Sequence, residues 1–330
     1  MTILVTGGAG YIGSHMVLEL VDAGEQVVVL DNLSTGFDWA VAKAAELVVG
    51  DIGDIELVGR VLKQHQVECI IHFAGSIVVP ESVSNPLMYY ENNTVKSRGL
   101  IAAAVANGVD KFIFSSTAAV YGSPAQNPVA ETAVLAPINP YGWSKLMTEI
   151  MLRDAAAAHD FRYVALRYFN VAGADPAGRS GQSTPKATHL IKVACETALG
   201  KRSHMDVFGT DYPTHDGTCV RDFIHVKDLA RAHVAALSHL RSGGEADVFN
   251  CGYSKGYSVL EVIDAVKRAS GKTMDVRLSP RRPGDPAEIV AASAKIRDQL
   301  GWVPQHDNLD TIVAQAFAWE ADLARRTNVR

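Results

Sequence analysis

A glycine-rich segment near the N-terminus limits the folds that this chain can adopt. The segment reads GGAGYIG from Gly7 to Gly13, follows a short β-rich run at Ile3–Val5, and precedes an amphipathic helical pattern. Glycines permit a tight turn and a close backbone approach, and the helix that follows directs its N-terminus at a phosphate group. Gly7 or Gly8, together with Gly10 and Gly13, matches the dinucleotide-binding spacing. We therefore predict a strand, a pyrophosphate-binding loop and a helix.

Apolar runs and helical patterns alternate over the first 170 residues. The strand-like runs are Ile3–Val5, Gln26–Leu30, Glu46–Val49, Cys69–Phe73, Phe112–Phe114 and Tyr163–Leu166. Helical patterns separate most of them, at Ile55–Gln64, Pro86–Asn107 and Tyr141–His159. Strands that are apolar throughout and alternate with helices are typical of a parallel sheet covered on both faces. The sequence thus predicts an α/β fold in which residues 1–170 form a doubly wound parallel Rossmann sheet.

The pattern changes after Asn170. Residues Val171–Pro185 are rich in Gly, Pro, Ala and Ser and lack periodicity, which predicts a loop. The elements predicted beyond it are a helix at Thr188–Leu199, a strand at Val248–Asn250, and helices at Val259–Ser270 and Leu309–Arg325. We interpret residues 171–330 as a smaller C-terminal α/β lobe that binds the substrate and returns some elements to the sheet.

An acidic residue ends the second strand-like run, where a dinucleotide would lie. Asp31 follows Gly13 by eighteen residues. A carboxylate at this place accepts hydrogen bonds from the adenosine ribose and repels a 2′-phosphate, so it favours NAD over NADP. Ligands of such folds lie beyond the carboxyl ends of the strands, so Asp51–Ile52, Phe73–Gly75 and Ser115–Thr117 are further candidates for the cleft.

A tyrosine and a lysine four residues apart are the candidate catalytic pair. Asn139 and Pro140 are typical of a helix start, and they place Tyr141 and Lys145 one turn apart on one helix face. A phenol ionises at about pH 10, and an adjacent ammonium favours the phenolate, so the pair can act as a base near neutral pH. The same spacing also occurs in ordinary surface contacts, but the dinucleotide motif favours the catalytic interpretation.

Charge and cysteine content argue against several other classes of protein. A net charge of −5 without a basic run gives no support for nucleic-acid binding, and no apolar run is long enough for a membrane helix. The cysteines, Cys69, Cys195, Cys219 and Cys251, are far apart without CxxC spacing, so we predict buried free thiols and no metal site. Met1 leads almost directly into the first strand, which leaves no room for a secretory signal, and a cytoplasmic protein is expected.

Seven segments of the chain together resemble one enzyme family. They read TGGAGYIGSH, DNLSTG, HFAG, FSSTAAVYG, NPYGWSK, RYFNVAGAD and VRDFIHVKDL, in this order. The chain is similar to the extended short-chain dehydrogenase/reductases, and most of all to their UDP-glucose (UDP-galactose) 4-epimerase branch, from Ile3 to about Trp302. The resemblance implies a tightly bound NAD that is not consumed, and a UDP-sugar substrate.

The resemblance also assigns site residues. It implies that Tyr141 is the catalytic base, Lys145 its partner, and Thr117 the hydroxyl that bonds the reacting sugar oxygen, where relatives often have serine. The implied cofactor contacts are Gly7, Gly10, Tyr11, Ile12, Gly13, Asp31, Asn32, Leu33, Ser34, Thr35, Gly36, Asp51, Ile52, Phe73, Ala74, Gly75, Asn92, Ser115, Tyr141, Lys145 and Phe169. The implied substrate contacts are Thr117, Asn170, His189, Leu190, Val207, Phe208, Arg221, Arg282, Asp285 and Ile289.

Three positions depart from what is common in that branch. Ile77 stands where relatives often have a lysine that contacts the cofactor. His189 stands where asparagine is common, which leaves its protonation open. Ile289 falls where a large tyrosine excludes N-acetylated sugars and a small residue admits them, and isoleucine is intermediate in size.

The implied reaction is the reversible 4-epimerisation of a UDP-hexose through hydride transfer to bound NAD and a 4-keto intermediate. Alternatives remain at this point. They are epimerisation of a UDP-pentose, UDP-uronate or UDP-N-acetylhexosamine, a dehydrogenase with exchanging cofactor, and a catalytically silent NAD-sensing protein. A 4,6-dehydratase is disfavoured, because such relatives place Asp-Glu after the threonine and this chain has Ala118 and Ala119.

The resemblance finally implies a homodimer built as a four-helix bundle. The helical patterns at Pro86–Asn107 and Tyr141–His159 would pair with their copies across a two-fold axis. The sequence alone shows only that these helices have apolar faces, which are more often part of a core.

Overall fold

The computed structural model of the chain describes residues 1–185, 187–282 and 284–327. The strands are β1 Thr2–Thr6, β2 Gln26–Asp31, β3 Glu46–Val49, β4 Val67–His72, β5 Lys111–Ser115, β6 Arg162–Tyr168, β7 Asn170–Ala172, β8 Met205–Phe208, β9 Val220–His225, β10 Asp247–Cys251, β11 Gly256–Ser258, β12 Val276–Ser279 and β13 Glu288–Ile289. The α-helices are α1 Tyr11–Asp22, α2 Ile55–Gln64, α3 Val79–Ser84, α4 Pro86–Tyr89, α5 Lys96–Ala106, α6 Pro140–Ala158, α7 Leu190–Ala198, α8 Val226–Arg241, α9 Val259–Ser270, α10 Ala294–Leu300 and α11 Leu309–Thr327.

A seven-stranded parallel sheet forms the centre of the molecule. Its order is β10-β6-β5-β4-β1-β2-β3, and two clusters of buried apolar side chains cover its two faces. Most of the strands are rich in apolar residues because both faces of the sheet are covered; β1, for example, is buried at every residue. The strand order reverses between β1 and β4, which opens a crevice at the carboxyl ends of those strands. The predicted doubly wound α/β fold is confirmed.

The remaining strands form two small sheets beside the central one. β9 lies between β11 and β13 and also pairs with β7, while β8 pairs with β12. One strand from the second half of the chain, β10, pairs in parallel with β6 at the edge of the central sheet. The division into two lobes at residue 170 stays a prediction.

Several elements differ from the sequence-based expectation. The predicted loop Val171–Pro185 starts inside a strand, because β7 covers Asn170–Ala172. The predicted helix Pro86–Asn107 is helical but contains a π-helical segment at Tyr90–Val95, and the predicted helix at Thr188–Leu199 begins only at Leu190.

The strand β9 and the helix α8 were not predicted at all. A buried carboxylate, Asp222, interrupts the apolar run of β9, and backbone N–H groups of Tyr253, Ser254 and Ala291 satisfy it. The cap of α8 is His225, whose ring accepts from the Lys227 amide, so the usual Ser, Thr, Asp or Asn start signal is missing.

The cysteine prediction is confirmed. Cys69, Cys195, Cys219 and Cys251 all lie within the described residues and are buried free thiols. Burial raises the pKa of Cys195 to about 12, so its thiol stays protonated at neutral pH. Across the described ranges, no helix combines the length and the apolar character needed to cross a bilayer.

We expect the protein to lose stability in mild acid, because four of its histidines are buried and uncharged. Burial lowers the pKa of His15, His225 and His233 to about 4 and that of His72 to about 3. The unfolded chain protonates histidine at about pH 6.5, so this contribution is fully present above that value and is lost as the pH falls towards 4. Each ring contributes a slope of about 1.4 kcal/mol per pH unit.

Urea unfolding at several pH values between 7.5 and 5 measures this effect. We expect the free energy of unfolding to fall steeply below about pH 6.5. His233→Leu serves as a variant, since the ring Nε2 is buried and no described residue accepts or donates a hydrogen bond there. The variant should show a shallower dependence on pH, and an unchanged slope would contradict the assignment.

Candidate active site

The glycine-rich loop forms a tight cradle between β1 and α1. Gly7 has a φ of +71°, and a Cβ there would lie 2.6 Å from the Ala74 nitrogen. A Cβ at Gly13 would lie 2.2 Å from the Gly7 carbonyl oxygen, so both positions require glycine. The α1 helix begins at Tyr11 with Gly10 as its N-cap, without a side-chain cap from the described residues and without an acidic residue in its first turn. Its positive end is therefore suited to the pyrophosphate of a dinucleotide.

Asp31, at the end of β2, joins this cradle to the next loop. Its Oδ2 accepts from the Ala9 amide at 2.9 Å and its Oδ1 from the Leu33 amide at 2.8 Å. Each carboxylate oxygen keeps further acceptor capacity, which fits ribose hydroxyls. The loop 32–36 lies against the cradle, since a Cβ at Gly36 would come within 2.7 Å of the Ala9 carbonyl carbon. The site thus fits the adenosine half of NAD.

Lys96, which the sequence analysis did not single out, holds the candidate Asp51 in place. The Asp51 Oδ2 accepts from Lys96 Nζ and from Asn32 Nδ2, both at 2.9 Å. Burial raises the pKa of Asp51, but hydrogen bonds from Gly53, Lys96 and Asn32 outweigh it, so the pKa lies below its usual value. Ile52 beside it is buried in the core. Lys96 lies far away in sequence on α5, and nothing in its local pattern marks it.

The ends of β4 and β5 surround the middle of the crevice. A Cβ at Gly75 would lie 3.0 Å from Asn93 Oδ1, so the backbone of this segment is tightly enclosed. The Asn92 side chain donates to Ser76 Oγ at 2.9 Å. Ile77 is half exposed and brings no polar group to this part of the crevice. The candidates Phe73, Ala74 and Gly75 follow β4 and therefore line this part of the crevice.

The candidate catalytic side chains meet beyond β5. As predicted, Asn139 caps α6 and its side chain accepts from the Gly142 amide at 2.8 Å, with Pro140 in the first turn. Lys145 is 4% exposed, and its Nζ donates to the Ser115 carbonyl at 3.0 Å. Tyr141 is hydrogen-bonded to the Thr117 side chain. The fold therefore brings the three residues to one place.

The electrostatics of this trio correct one expectation. Burial raises the pKa of Tyr141, and the hydrogen bond with Thr117 opposes this only in part. Burial also lowers the pKa of Lys145 to about 8. The expected lowering of the tyrosine pKa is thus wrong for the chain by itself, because the sequence does not show how completely the pair is buried.

Asn170, His189 and Leu190 line a cleft of about 490 Å³ beside the glycine cradle, together with Tyr11. Burial lowers the pKa of His189, which makes the ring neutral at pH 7, and its Nδ1 lies 3.3 Å from Gln182 Nε2. The side chains of the trio are not among the residues that line this cleft.

A second group of substrate candidates clusters around β9 and β13. Arg221 Nη2 lies 3.7 Å from Asp285 Oδ1, and Ile289 is the partner of Arg221 across the strands. The Arg282 guanidinium lies 3.6 Å from the centre of the Phe208 ring. Two guanidinium groups in one cluster suit a diphosphate.

Two further candidates are buried and a third is partly buried. Val207 is fully buried, so only its backbone can contact a ligand. Ile289 is buried apart from 8% of its surface. Phe169 packs against a small apolar cluster that includes Val120 and Leu146. These positions therefore shape the site rather than present polar groups to it.

Comparison with known proteins is consistent with this geometry. A family model described as the NAD dependent epimerase/dehydratase family matches residues 3–252. The UDP-glucose 4-epimerase of Azospirillum brasilense is 59% identical over 97% of this chain and 92% of its own length. The structure of UDP-glucose 4-epimerase from Brucella ovis in complex with NAD is 42% identical with a TM-score of 0.94, over 96% of this chain and 97% of that one. The UDP-Glc/GlcNAc 4-epimerase from Campylobacter jejuni is 50% identical with a TM-score of 0.86, over 97% and 99%.

Proposed function

Because this chain belongs to the NAD dependent epimerase/dehydratase family, we propose that it catalyses the reversible 4-epimerisation of a UDP-hexose, interconverting UDP-galactose and UDP-glucose. The observation that carries the proposal is the trio of Tyr141, Thr117 and Lys145, of which Thr117 and Lys145 are buried and Tyr141 is partly buried, beside a dinucleotide cradle. A silent NAD-binding protein has no need of that trio. The family, the fold and the NAD dependence expected from the sequence are confirmed.

The cradle of Gly7, Gly10 and Gly13, the carboxylate of Asp31 and the Asp51–Lys96 pair would hold the cofactor. NAD supplies a hydride acceptor that is regenerated within each turnover. Asp31 discriminates against a 2′-phosphate because it is a buried carboxylate at the end of β2.

Tyr141 is assigned as the base that takes the proton from the sugar 4-hydroxyl. Its hydrogen bond with Thr117 marks the place of proton transfer, and Thr117 can orient the reacting oxygen. Lys145 lies one turn further along α6 and adds a positive charge that favours the phenolate in a buried site. The same phenol would return the proton to the 4-oxygen when C4 regains the hydride on its opposite face, which completes the epimerisation.

Arg221 and Arg282 are assigned to the UDP diphosphate, which stays bound while the hexose turns over. Their guanidinium groups sit beside Asp285 and on the Phe208 ring, in one cluster. The neighbouring Ala118 and Ala119 bring no acid or base after Thr117, so an elimination at C5 and C6 has no catalytic groups there.

Incubation of the purified protein with UDP-galactose, without added cofactor, tests the proposal. We expect conversion to the same equilibrium mixture from either UDP-galactose or UDP-glucose, followed by chromatography. A parallel incubation with UDP-N-acetylglucosamine tests a second substrate class, which the name of the Campylobacter jejuni relative suggests. Protein that releases NAD on denaturation but converts none of these sugars would contradict the proposal.

The proposal includes a cytoplasmic location. The four cysteines are buried free thiols, which is typical of reducing compartments. Burial also keeps the Cys195 thiol protonated, so it has little tendency to form disulfides. Cell fractionation with an antibody to the chain tests the location, and recovery in a membrane or secreted fraction would contradict it.

We further propose a homodimer formed by a four-helix bundle. Two neighbouring helical stretches expose large apolar side chains, with Leu87 78% exposed on α4 and Trp143 41% exposed on α6. On α6 the exposed apolar positions continue at Met147 and Ile150, which lie on the same helix face. An apolar stripe of this kind suits a self-complementary contact across a two-fold axis.

Replacing Leu87 and Ile150 by glutamate should convert the dimer into monomers, because four charges would be buried at the interface. Sedimentation equilibrium of wild type and variant measures the change. Val303→Glu is the matched control, since Val303 is 71% exposed and lies after α10, away from both helices. A wild-type protein that sediments as a monomer would contradict the dimer.

A further inference from the structure

A buried carboxylate and guanidinium lie directly behind the catalytic trio. Glu149 on α6 accepts from the Ser116 hydroxyl and from Arg167 on β6, whose Nε lies 3.0 Å from Oε1 and whose Nη2 lies 2.5 Å from Oε2. Both charged side chains are 5% exposed and Ser116 is 1% exposed. Neither residue of the ion pair has a role in the assignments above.

Ser116 occupies the position between two residues of the site. The carbonyl of Ser115 accepts from Lys145, and the side chain of Thr117 bonds Tyr141. Glu149 lies one turn beyond Lys145 and two turns beyond Tyr141 on the same side of α6. A single carboxylate thus connects the segment after β5 with the helix that carries the tyrosine and the lysine.

The ion pair is itself fixed from the other side. Arg167 Nη1 donates to the Tyr121 hydroxyl at 3.0 Å, and that hydroxyl donates to Asn250 Oδ1 at 2.6 Å. The guanidinium also lies 5.0 Å from the centre of the Tyr121 ring. Because Asn250 belongs to β10, the network ties α6 to two strands of the central sheet, and Glu149 has little freedom to move.

We propose that Glu149 is a positioning residue for epimerisation, which holds the Thr117 hydroxyl against the Tyr141 phenol through Ser116. The inference rests on the proposed function and adds a residue that touches neither sugar nor cofactor. Apolar side chains of similar volume commonly replace buried ion pairs without loss of stability, so stability alone does not require this pair. The bond from Ser116 to the carboxylate gives the pair a link to the trio.

The ionisable groups around Tyr141 come from several elements. Lys145 lies on α6, Tyr168 on β6 interacts electrostatically with Tyr141, and so does Tyr89 on α4, whose hydroxyl bonds Glu81. None of these side chains bonds Ser116, and Arg167 balances the charge of Glu149. Loss of the Ser116 hydroxyl is therefore expected to change the pKa of Tyr141 mainly through Thr117.

Steady-state kinetics of Ser116→Ala test the inference against a matched control, Thr148→Val. Thr148 carries a buried hydroxyl on α6 beside Glu149, but it bonds the carbonyls of Asn93 and Ser144 instead of the segment after β5. We expect kcat of Ser116→Ala to fall roughly tenfold with little change in KM, because misplacement of reacting groups lowers the rate of the bound substrate. The control should retain most of its kcat.

The pH profile and a double variant distinguish a positioning role from a merely structural one. The Thr117 hydrogen bond lowers the pKa of Tyr141, so the acidic limb of kcat should move to higher pH in Ser116→Ala and stay in place in Thr148→Val. Ser116→Ala should cause no further loss of kcat in a Thr117→Val background, because both changes remove the same interaction. Ser116→Cys, which retains volume and a weak donor, should lie between wild type and alanine.

Equal kcat values and superimposable pH profiles for Ser116→Ala and Thr148→Val would overturn the inference. Additive losses in the Ser116→Ala, Thr117→Val double variant would also overturn it. Failure of the proposed function itself would look different, because the wild-type protein would then not convert UDP-galactose.

Discussion

Tyr141→Phe is expected to lower kcat for UDP-galactose by about a thousandfold, within the range of general-base catalysis. The change removes one oxygen from a partly buried side chain in the first turn of α6, where the Asn139 cap sets the helix start independently. The phenylalanine ring fills the same space, so the fold and the cofactor site should remain intact. Loss of rate without loss of NAD would show that the oxygen takes part in proton transfer.

Conversion of UDP-galactose and NAD content after denaturation, measured on the same preparation, check this result. The thermal unfolding curve of the variant should overlie that of wild type within about 1 kcal/mol, because the phenol bonds only one described hydroxyl, that of Thr117. A variant with near-native kcat would remove Tyr141 from the role of base. A variant that lost its NAD would indicate a binding role instead.

Lys145→Met is expected to lower kcat by about a hundredfold near neutral pH and to move the acidic limb of the pH profile upward. Methionine retains the length of the side chain and removes the charge. The phenol then has no neighbouring ammonium, so its pKa rises and the base needs a higher pH to form. Burial lowers the pKa of Lys145 to about 8, so wild type loses the same charge as the pH rises through that value.

The difference between wild type and Lys145→Met should therefore be largest below about pH 8 and should shrink above it. Measurement of kcat from pH 6 to pH 9.5 covers this range. Lys96→Met is a suitable comparison, since that lysine pairs with Asp51 in the adenosine region and lies away from the phenol. It should weaken NAD retention without moving the acidic limb. A parallel shift in both variants would contradict the role of Lys145.

The parts of the site that were predictable from the sequence depend on neighbours in the chain. The strand, glycine loop and helix from β1 to α1 follow one another directly, and Asp31 ends the next strand. The Asn139 cap and the Tyr141–Lys145 spacing are also local, because a helix fixes which residues share a face. Such features can be read without knowledge of what packs against them.

The contacts that the sequence did not indicate join residues far apart in the chain. Lys96 meets Asp51, and Glu149 meets Arg167, only after the sheet has formed. The raised pKa of Tyr141 has the same origin, because burial depends on the elements that cover α6. The strand β9 was missed since Asp222 resembles a surface residue in the sequence, although backbone amides from distant segments satisfy it. Local patterns carry none of this information.

The place of β10 in the central sheet has a consequence for exchanging parts between related enzymes. The strand comes from the second half of the chain but completes the sheet beside β6, and its Asn250 holds the network behind the catalytic residues. A graft that replaced everything after residue 170 to alter sugar preference would also replace one edge of the first half. If the grafted segment supplied no matching β10, β6 would present unpaired backbone groups, which are a common cause of aggregation. Functional chimeras should therefore carry β10 from the same parent as β6, and should vary the segments around β8 and β13 instead.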